Sequence, residues 1–225
     1  MIMHRHGPGT PRHRPATPRH PPATLRHPPV NLRHPPTCSG DLSRRTLITA
    51  AAWLLVSCSS PNPALYTLEA PPGPVRRGGP RVIELRSIAI ARYLERSQIV
   101  RSSENFRLDV LPNDWWGEPL DTMIGRTLAR ALTQRLPGST VYSENGAISA
   151  EPDATVQVNV QRLDQDSTGT VRLIAQFAIV RRTSDTRGIS LQVPVNGPAT
   201  SALVAAMSEA IGQLADRVAA SLAVG

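Results

Sequence analysis

The chain has 225 residues, with 25 arginines, no lysine, 17 acidic residues and a formal net charge of +8. Eight of the arginines and only one acidic residue precede Cys58, so residues 58–225 carry 17 arginines against 16 acids. The usual argument from a basic chain to a nucleic-acid partner fails for such a near-neutral segment, and we predict no nucleic-acid partner. The length of this segment suits one domain with its own hydrophobic core.

Residues 1–42 are dominated by a seven-residue tandem repeat in which Arg-His pairs alternate with prolines. Proline removes backbone donors and blocks helix interiors, so the repeat is predicted to be disordered or polyproline-like. Two interpretations stay open. Either the repeat is a genuine long leader, or translation starts further downstream, near Leu42, which is where a signal peptide would begin.

Residues 43–57 have the parts of a bacterial lipoprotein signal peptide in the order that export requires. Two arginines come first, and residues 47–56 then form a mostly apolar run of ten residues. Ten residues are too few to span a bilayer, which needs about 20. Both the general secretory route and the twin-arginine route remain open. The predicted signal-peptide residues are Arg44, Arg45, Leu55, Val56 and Ser57.

Cys58 is the predicted acylation site, because it directly follows this lipobox. Cleavage would make Cys58 the first residue of the mature protein, with a diacylglyceryl group on sulfur and an acyl chain such as palmitate on nitrogen. Each buried methylene contributes about 0.8 kcal/mol, so several chains hold a protein on a membrane without a transmembrane helix. The next residue is Ser59 rather than Asp, which favours the outer membrane.

Residues 58–80 are predicted to be the lipidated cysteine and a tether rich in proline and glycine. Within it, residues 65–68 are strand-forming and either join the folded sheet or stay in the tether. Residues 81–225 are predicted to form the periplasmic domain. Its predicted strands are residues 82–85 with 88–90 (one strand or two), 98–101, 105–110, 140–142, 156–161, 171–179 and 189–195.

Two amphipathic segments, residues 118–136 and 200–222, have apolar residues at three- and four-residue spacing and are predicted helices. Residues 111–114 are predicted to end a strand and to cap the first helix. The order of strands, helix, strands and helix predicts an α+β domain: a mostly antiparallel sheet with two long helices packed on one face.

Catalytic chemistry has few candidates after position 57, because that part of the chain contains no histidine or lysine and no cysteine other than Cys58. Asp164 and Asp166 form a close carboxylate pair, and their place at a predicted hairpin tip favours a solvated turn over a metal or acid–base site. We therefore predict no enzymatic activity, no catalytic residue, no metal and no cofactor. A periplasmic hydrolase is disfavoured on the same grounds.

Two adjacent indoles, Trp115 and Trp116, cannot both face one core. Either one is buried and the other partly exposed, or they form an apolar contact site. The second tryptophan opens the sequence W-G-E-P-L at residues 116–120. With Y-T-L at residues 66–68, Y-L-E-R at 93–96 and I-V-R at 99–101, this sequence resembles the ABC-type transport auxiliary lipoproteins, over residues 65–142.

The resemblance implies a lipid-anchored protein on the periplasmic face of the outer membrane. Members accompany an MCE-domain protein with an ABC permease and ATPase, and move lipids or hydrophobic solutes between the two membranes. The alternative is a structural envelope lipoprotein without a transport role, and a homo-oligomer is left open. The candidate partner-binding residues, all beside predicted turns, are Tyr93, Leu94, Trp115 and Trp116.

The lipobox generates the first testable prediction. Cys58→Ala removes the acylated sulfur, so the protein should stay unprocessed or leave the membrane fraction. Mass spectrometry of the wild-type membrane fraction should show an acylated Cys58 at the amino terminus. An unmodified Cys58 in a stable mature protein would contradict the anchor.

Overall fold

The computed structural model describes residues 62–147 and 150–224, so the repeat, the predicted signal peptide and Cys58 lie outside the described residues. The described part contains nine strands, two α-helices and one short 3-10 turn at Arg92–Leu94. The elements are β1 (Ala64–Tyr66), β2 (Val82–Leu85), β3 (Ala89–Ile90), β4 (Gln98–Ser102), β5 (Asp109–Trp116), α1 (Leu120–Arg135), β6 (Thr140–Ser143), β7 (Ala154–Gln165), β8 (Thr170–Val180), β9 (Ser184–Pro194) and α2 (Thr200–Ala223).

The larger sheet has the order β6-β2-β7-β8-β9, and β3 also pairs with β7. Strands β7, β8 and β9 form an antiparallel meander, whereas β2, β3 and β6 run parallel to their neighbours. The predicted α+β class is confirmed. The sheet is mixed rather than mostly antiparallel because the chain, after passing through α1, places β6 parallel to β2. Residues 82–90 form two short strands, β2 and β3, which is one of the two predicted alternatives.

The helices lie within two residues of their predicted bounds. Pro119 directly precedes α1, where a missing N–H costs no helical hydrogen bond. The helices cover one sheet face, since the outward residues Gln157, Asn159 and Gln161 of β7 are exposed. Every apolar residue of the two predicted helix stripes is buried: Leu120, Met123, Ile124, Leu128, Ala131, Leu132, Leu136, Leu203, Met207, Ile211, Leu214, Val218 and Leu222.

The smaller sheet has the order β1-β5-β4 and corrects one predicted strand. Strand β5 begins at Asp109 rather than at position 105, because Asn105 and Phe106 take left-handed φ angles of 54° and 60° in a turn. It then continues through Pro112, which the sequence analysis assigned to a strand end. Proline is tolerated there because Pro112 lies where the β4–β5 register is irregular.

The strand-forming segment near residue 65 joins the fold. Strand β1 pairs in parallel with the end of β5, and Leu68 behind it is buried, with its N–H 2.9 Å from the sulfur of Met123. Gly212 of α2 allows the chain to pass closely, since a Cβ there would lie 2.3 Å from Cγ of Pro71. This segment therefore packs on the helices before β2 begins.

Arg135, at the end of α1, has only 1% of its surface exposed. Its guanidinium pairs with Asp216 of α2 and donates to the carbonyls of Pro71 at 3.3 Å and Gly212 at 3.1 Å. A Cβ at Gly73 would lie 2.2 Å from an Arg135 nitrogen, so glycine leaves the space that the guanidinium fills. One side chain thus joins both helices to the segment that precedes β2.

This arrangement generates the second prediction. Arg135→Leu removes the cation but leaves Asp216 and two carbonyls without their donor, and breaking a buried pair from one side costs about 3 kcal/mol. Urea unfolding should show that loss. Arg130→Leu is the matched control on the same helix, because Arg130 is exposed, and it should change stability by less than about 0.5 kcal/mol. Equal effects of the two substitutions would contradict the assigned role.

Candidate interaction surface

An apolar pair on the small sheet is open to solvent. Leu65 of β1 is directly opposite Trp115 of β5 in the parallel register, so the two side chains share one sheet face. Leu65 is 67% exposed, and Trp115 is partly exposed. The indole N–H of Trp115 donates to the carbonyl of Pro112 at 2.9 Å, which fixes the ring. A rigid aromatic beside an exposed leucine is a typical contact site for a partner.

The Leu65 side of this pair opens into a groove of about 610 Å³ between residues 65–72 and α2. Its walls are largely apolar, with contributions from Ala70, Pro71 and Val204. The exposed carboxylates of Glu69 and Glu209 lie along its edge. We use "the Leu65 surface" for Leu65, Trp115 and this groove.

Only one of the four predicted partner-binding residues lies on the Leu65 surface. Trp116 is 6% exposed and Leu94 is also buried, so both belong to the core; this corrects their predicted position at the surface. Strand alternation is the reason for Trp116, since its neighbour Trp115 points to the opposite face. Tyr93 is half-buried, and its hydroxyl donates to Asp164 at 2.7 Å.

The carboxylate of Asp164 is 0% exposed and is the centre of a polar cluster. It accepts hydrogen bonds from Tyr93 at 2.7 Å, from Ser103 at 2.5 Å and from Arg162 at 2.8 Å. Burial, the hydrogen bond to Asp164 and the charge of Asp164 all raise the pKa of Tyr93. The cluster therefore holds the segments around β3 and β4 against β7 through three side chains that donate to one buried carboxylate.

Asp166 makes a second buried carboxylate site in the β7–β8 turn. It accepts from the backbone and hydroxyl of Thr168, from the N–H of Thr170 at 3.0 Å and from Arg172 at 2.7 Å. Hydrogen bonds from Thr168 and Arg172 lower the pKa of Asp166. The predicted solvated turn is thus wrong for both aspartates, because each carboxylate is enclosed by its own donors.

Glu104 connects the β4–β5 turn to the β7–β8 turn and to β7. It accepts from the N–H of Ser167 at 2.6 Å and pairs with Arg162 at 3.2 Å. The Ser167 bond is the main reason that the pKa of Glu104 is lowered. Sequence reasoning had no signal for this role, because Glu104 and Ser167 lie 63 positions apart.

The described part of the chain shows neither a membrane-spanning helix nor a cluster of metal ligands. In residues 62–147 and 150–224, no helix is long and apolar enough to cross a membrane. Over the same ranges, no three His, Cys, Asp or Glu side chains are grouped as they would be around a metal ion.

Asp166 generates the third prediction. Its folded-state pKa lies below the unfolded value of about 3.9, so its stabilising effect is present above about pH 4 and is lost as the pH falls below that value. Asp166→Asn should lower Tm by several degrees at neutral pH and reduce the further fall of Tm below about pH 4. Thermal melts at several pH values measure both. Glu151→Gln, at an exposed carboxylate, is the control and should leave the melts unchanged.

Related proteins of known sequence share part of this chain. The intermembrane transport lipoprotein PqiC of Escherichia coli (strain K12) is 28% identical over 110 residues, which are 45% of this chain and 57% of PqiC. The PqiC protein of Shigella flexneri matches with the same values. The alignment thus covers a little over half the length of these relatives.

Two solved structures share the fold. A crystal structure of an uncharacterised protein superposes with a TM-score of 0.61 at 19% identity, over 71% of this chain and 98% of the other. A protein from Xanthomonas campestris gives a TM-score of 0.55 at 16% identity, over 69% and 92%. The sequence model of the family described as "ABC-type transport auxiliary lipoprotein component" matches residues 66–219, well over half of the chain. The chain therefore belongs to the family of ABC-type transport auxiliary lipoprotein components.

Proposed function

We propose that the mature protein is a lipoprotein on the periplasmic face of the outer membrane and an auxiliary component of an ABC-type system. This system would move lipids or hydrophobic solutes between the inner and outer membranes. The observation that carries the proposal is the family match over residues 66–219. The name of PqiC, an intermembrane transport lipoprotein, supports the same role. The protein would act by binding, through the Leu65 surface.

The proposed anchor places this surface near the membrane. Cys58 precedes β1 by six residues, and six extended residues reach at most about 20 Å. Leu65 and Trp115 would therefore lie within roughly 25 Å of the lipid headgroups. A component that reaches the outer membrane from the periplasm would meet the Leu65 surface close to the bilayer.

The proposed partner is the MCE-domain protein of the system, with its ABC permease and ATPase at the inner membrane. The exposed Leu65 and Trp115 call for an apolar counterpart, and the groove beside them takes an inserted side chain or a short segment. Glu69 and Glu209 at the groove edge favour a partner with basic residues around the apolar contact.

Trp115→Ala is the fourth prediction. The substitution removes the fixed aromatic of the Leu65 surface, and truncating such a contact costs about 2 kcal/mol, roughly a thirtyfold loss of affinity. Co-purification with the MCE-domain protein should weaken accordingly, and Leu65→Ser should have the same direction. Because Leu65 is exposed and Trp115 is partly exposed, outside the buried core, thermal melting should change little.

Trp116→Ala is the matched control. Trp116 is in the core, so its truncation should cost about 3–5 kcal/mol of folding stability. At a temperature where the variant is still folded, binding should be normal. The docking surface lies elsewhere if Trp115→Ala binds the MCE-domain protein as tightly as the wild type does.

A further inference from the structure

The turn between β4 and β5, residues 103–108, presents apolar side chains directly to solvent. Phe106 has 111% of its reference surface exposed, and Leu108 is 40% exposed. We call residues 103–108 the β4–β5 tip. The chain has only two phenylalanines; the other, Phe177, is buried in β8. Phe106 and Leu108, two positions apart, thus make an exposed apolar pair at one turn rather than a single scattered residue.

Hydrogen bonds to the β7–β8 turn and to the end of β7 fix the conformation of the β4–β5 tip. Glu104 accepts from the N–H of Ser167, and Ser103 donates to the buried Asp164. The next two residues, Asn105 and Phe106, both have left-handed backbones. Asparagine tolerates this conformation, but a bulky residue adopts it rarely. Such strain persists where the surrounding structure imposes it, and it is typical of functional positions.

Arg107 is the one cation of the β4–β5 tip, residues 103–108, and it forms no salt bridge within the described residues. Arg107 lies between Phe106 and Leu108 and is exposed. Arg101 is also exposed but forms a salt bridge with Asp109 at 3.6 Å, and Glu104 pairs with Arg162 at 3.2 Å. Apolar side chains with interleaved arginines are the composition that binds the boundary between anionic headgroups and acyl chains.

The direction of β1 relates this tip to the proposed anchor. Because β1 is parallel to β5 with Ala64 opposite Asp114, the chain enters β1 from the side of the β4–β5 tip. Cys58 is six residues before Ala64, and Phe106 is eight residues before Asp114. At about 3.3 Å per residue, the part of β5 from Asp109 to Asp114 spans about 17 Å, and six extended residues before Ala64 would span about 20 Å, which is long enough to bring acyl chains on Cys58 to the same end of the domain as the tip.

We infer that the β4–β5 tip inserts Phe106 and Leu108 into the membrane that holds the acylated Cys58, with Arg107 on anionic headgroups. This inference rests on the acylation proposed above. The tip and the acyl chains together give the domain two separate contacts with one bilayer. The Leu65 surface stays available to a partner.

The test uses acylated protein purified from membranes and reconstituted in vesicles of phosphatidylcholine with or without phosphatidylglycerol. Cys38 precedes the proposed cleavage site and the sulfur of Cys58 carries lipid, so an introduced cysteine is the only thiol. Phe106→Cys and Leu108→Cys are labelled with an environment-sensitive fluorophore. Thr183→Cys is the control. Thr183 lies in the β8–β9 turn, whereas the β7–β8 turn, which contacts the tip, is at the other end of β8.

Labels at positions 106 and 108 should shift their emission to the blue and lose quenching by aqueous iodide, more so with phosphatidylglycerol. The label at position 183 should do neither, and Arg107→Glu should reverse the effect at position 106. Equal exposure of all three labels overturns the inference. A shift at 106 that needs the MCE-domain protein also overturns it, in favour of a protein contact.

The same preparations separate this inference from the proposed function. Mass spectrometry reports acylation of Cys58, and pull-down with the MCE-domain protein reports docking. Acylated, docking-competent protein with a water-exposed label at 106 leaves the proposed function standing and removes the membrane contact of the tip. A mass without acyl chains overturns the anchor and this inference with it.

Discussion

A guanidinium without access to water connects parts of this fold that are distant in sequence. Arg135 bonds to Asp216, 81 positions away, and to Pro71, 64 positions away. A buried cation must satisfy its donors within the protein, since its desolvation is otherwise uncompensated. The last turn of α1, the middle of α2 and the segment before β2 are therefore fixed in position relative to one another. The absence of side chains at Gly73 and Gly212 is part of that requirement.

A buried carboxylate has the corresponding role between the two sheets. Asp164 and its donors Tyr93, Ser103 and Arg162 fasten the smaller sheet to the larger one. The apolar core alone would tolerate small shifts between the sheets, because the hydrophobic effect has no preferred direction. Hydrogen bonds to a buried carboxylate do have directions. The hydrogen bond from Ser103 thus fixes the position of the β4–β5 turn relative to β7.

Local periodicity predicted α1, α2 and the β7–β8–β9 meander, because their apolar spacing is a property of each segment by itself. It failed at the start of β5. Asn105 and Phe106 there have left-handed φ angles in a turn, next to Glu104, which accepts a hydrogen bond from the N–H of Ser167. It also missed the burial of Asp164 and Arg135, since the partners of both are distant in sequence. Of the candidate site, Trp115 was found from the sequence; Leu65 was singled out only as part of a strand, because its exposure depends on pairing with β5.

The parallel pairing of β1 has a mechanical consequence. A load from a membrane anchor would reach the domain at Ala64 and run along the axis of β1. The three residue pairs between β1 and β5 would then be sheared together instead of being peeled apart one at a time. Behind them, the buried Leu68 and the carbonyl of Pro71 on Arg135 take up the same load. A membrane anchor at Cys58 would thus load the β1–β5 pairing in shear, with its three residue pairs sharing the force.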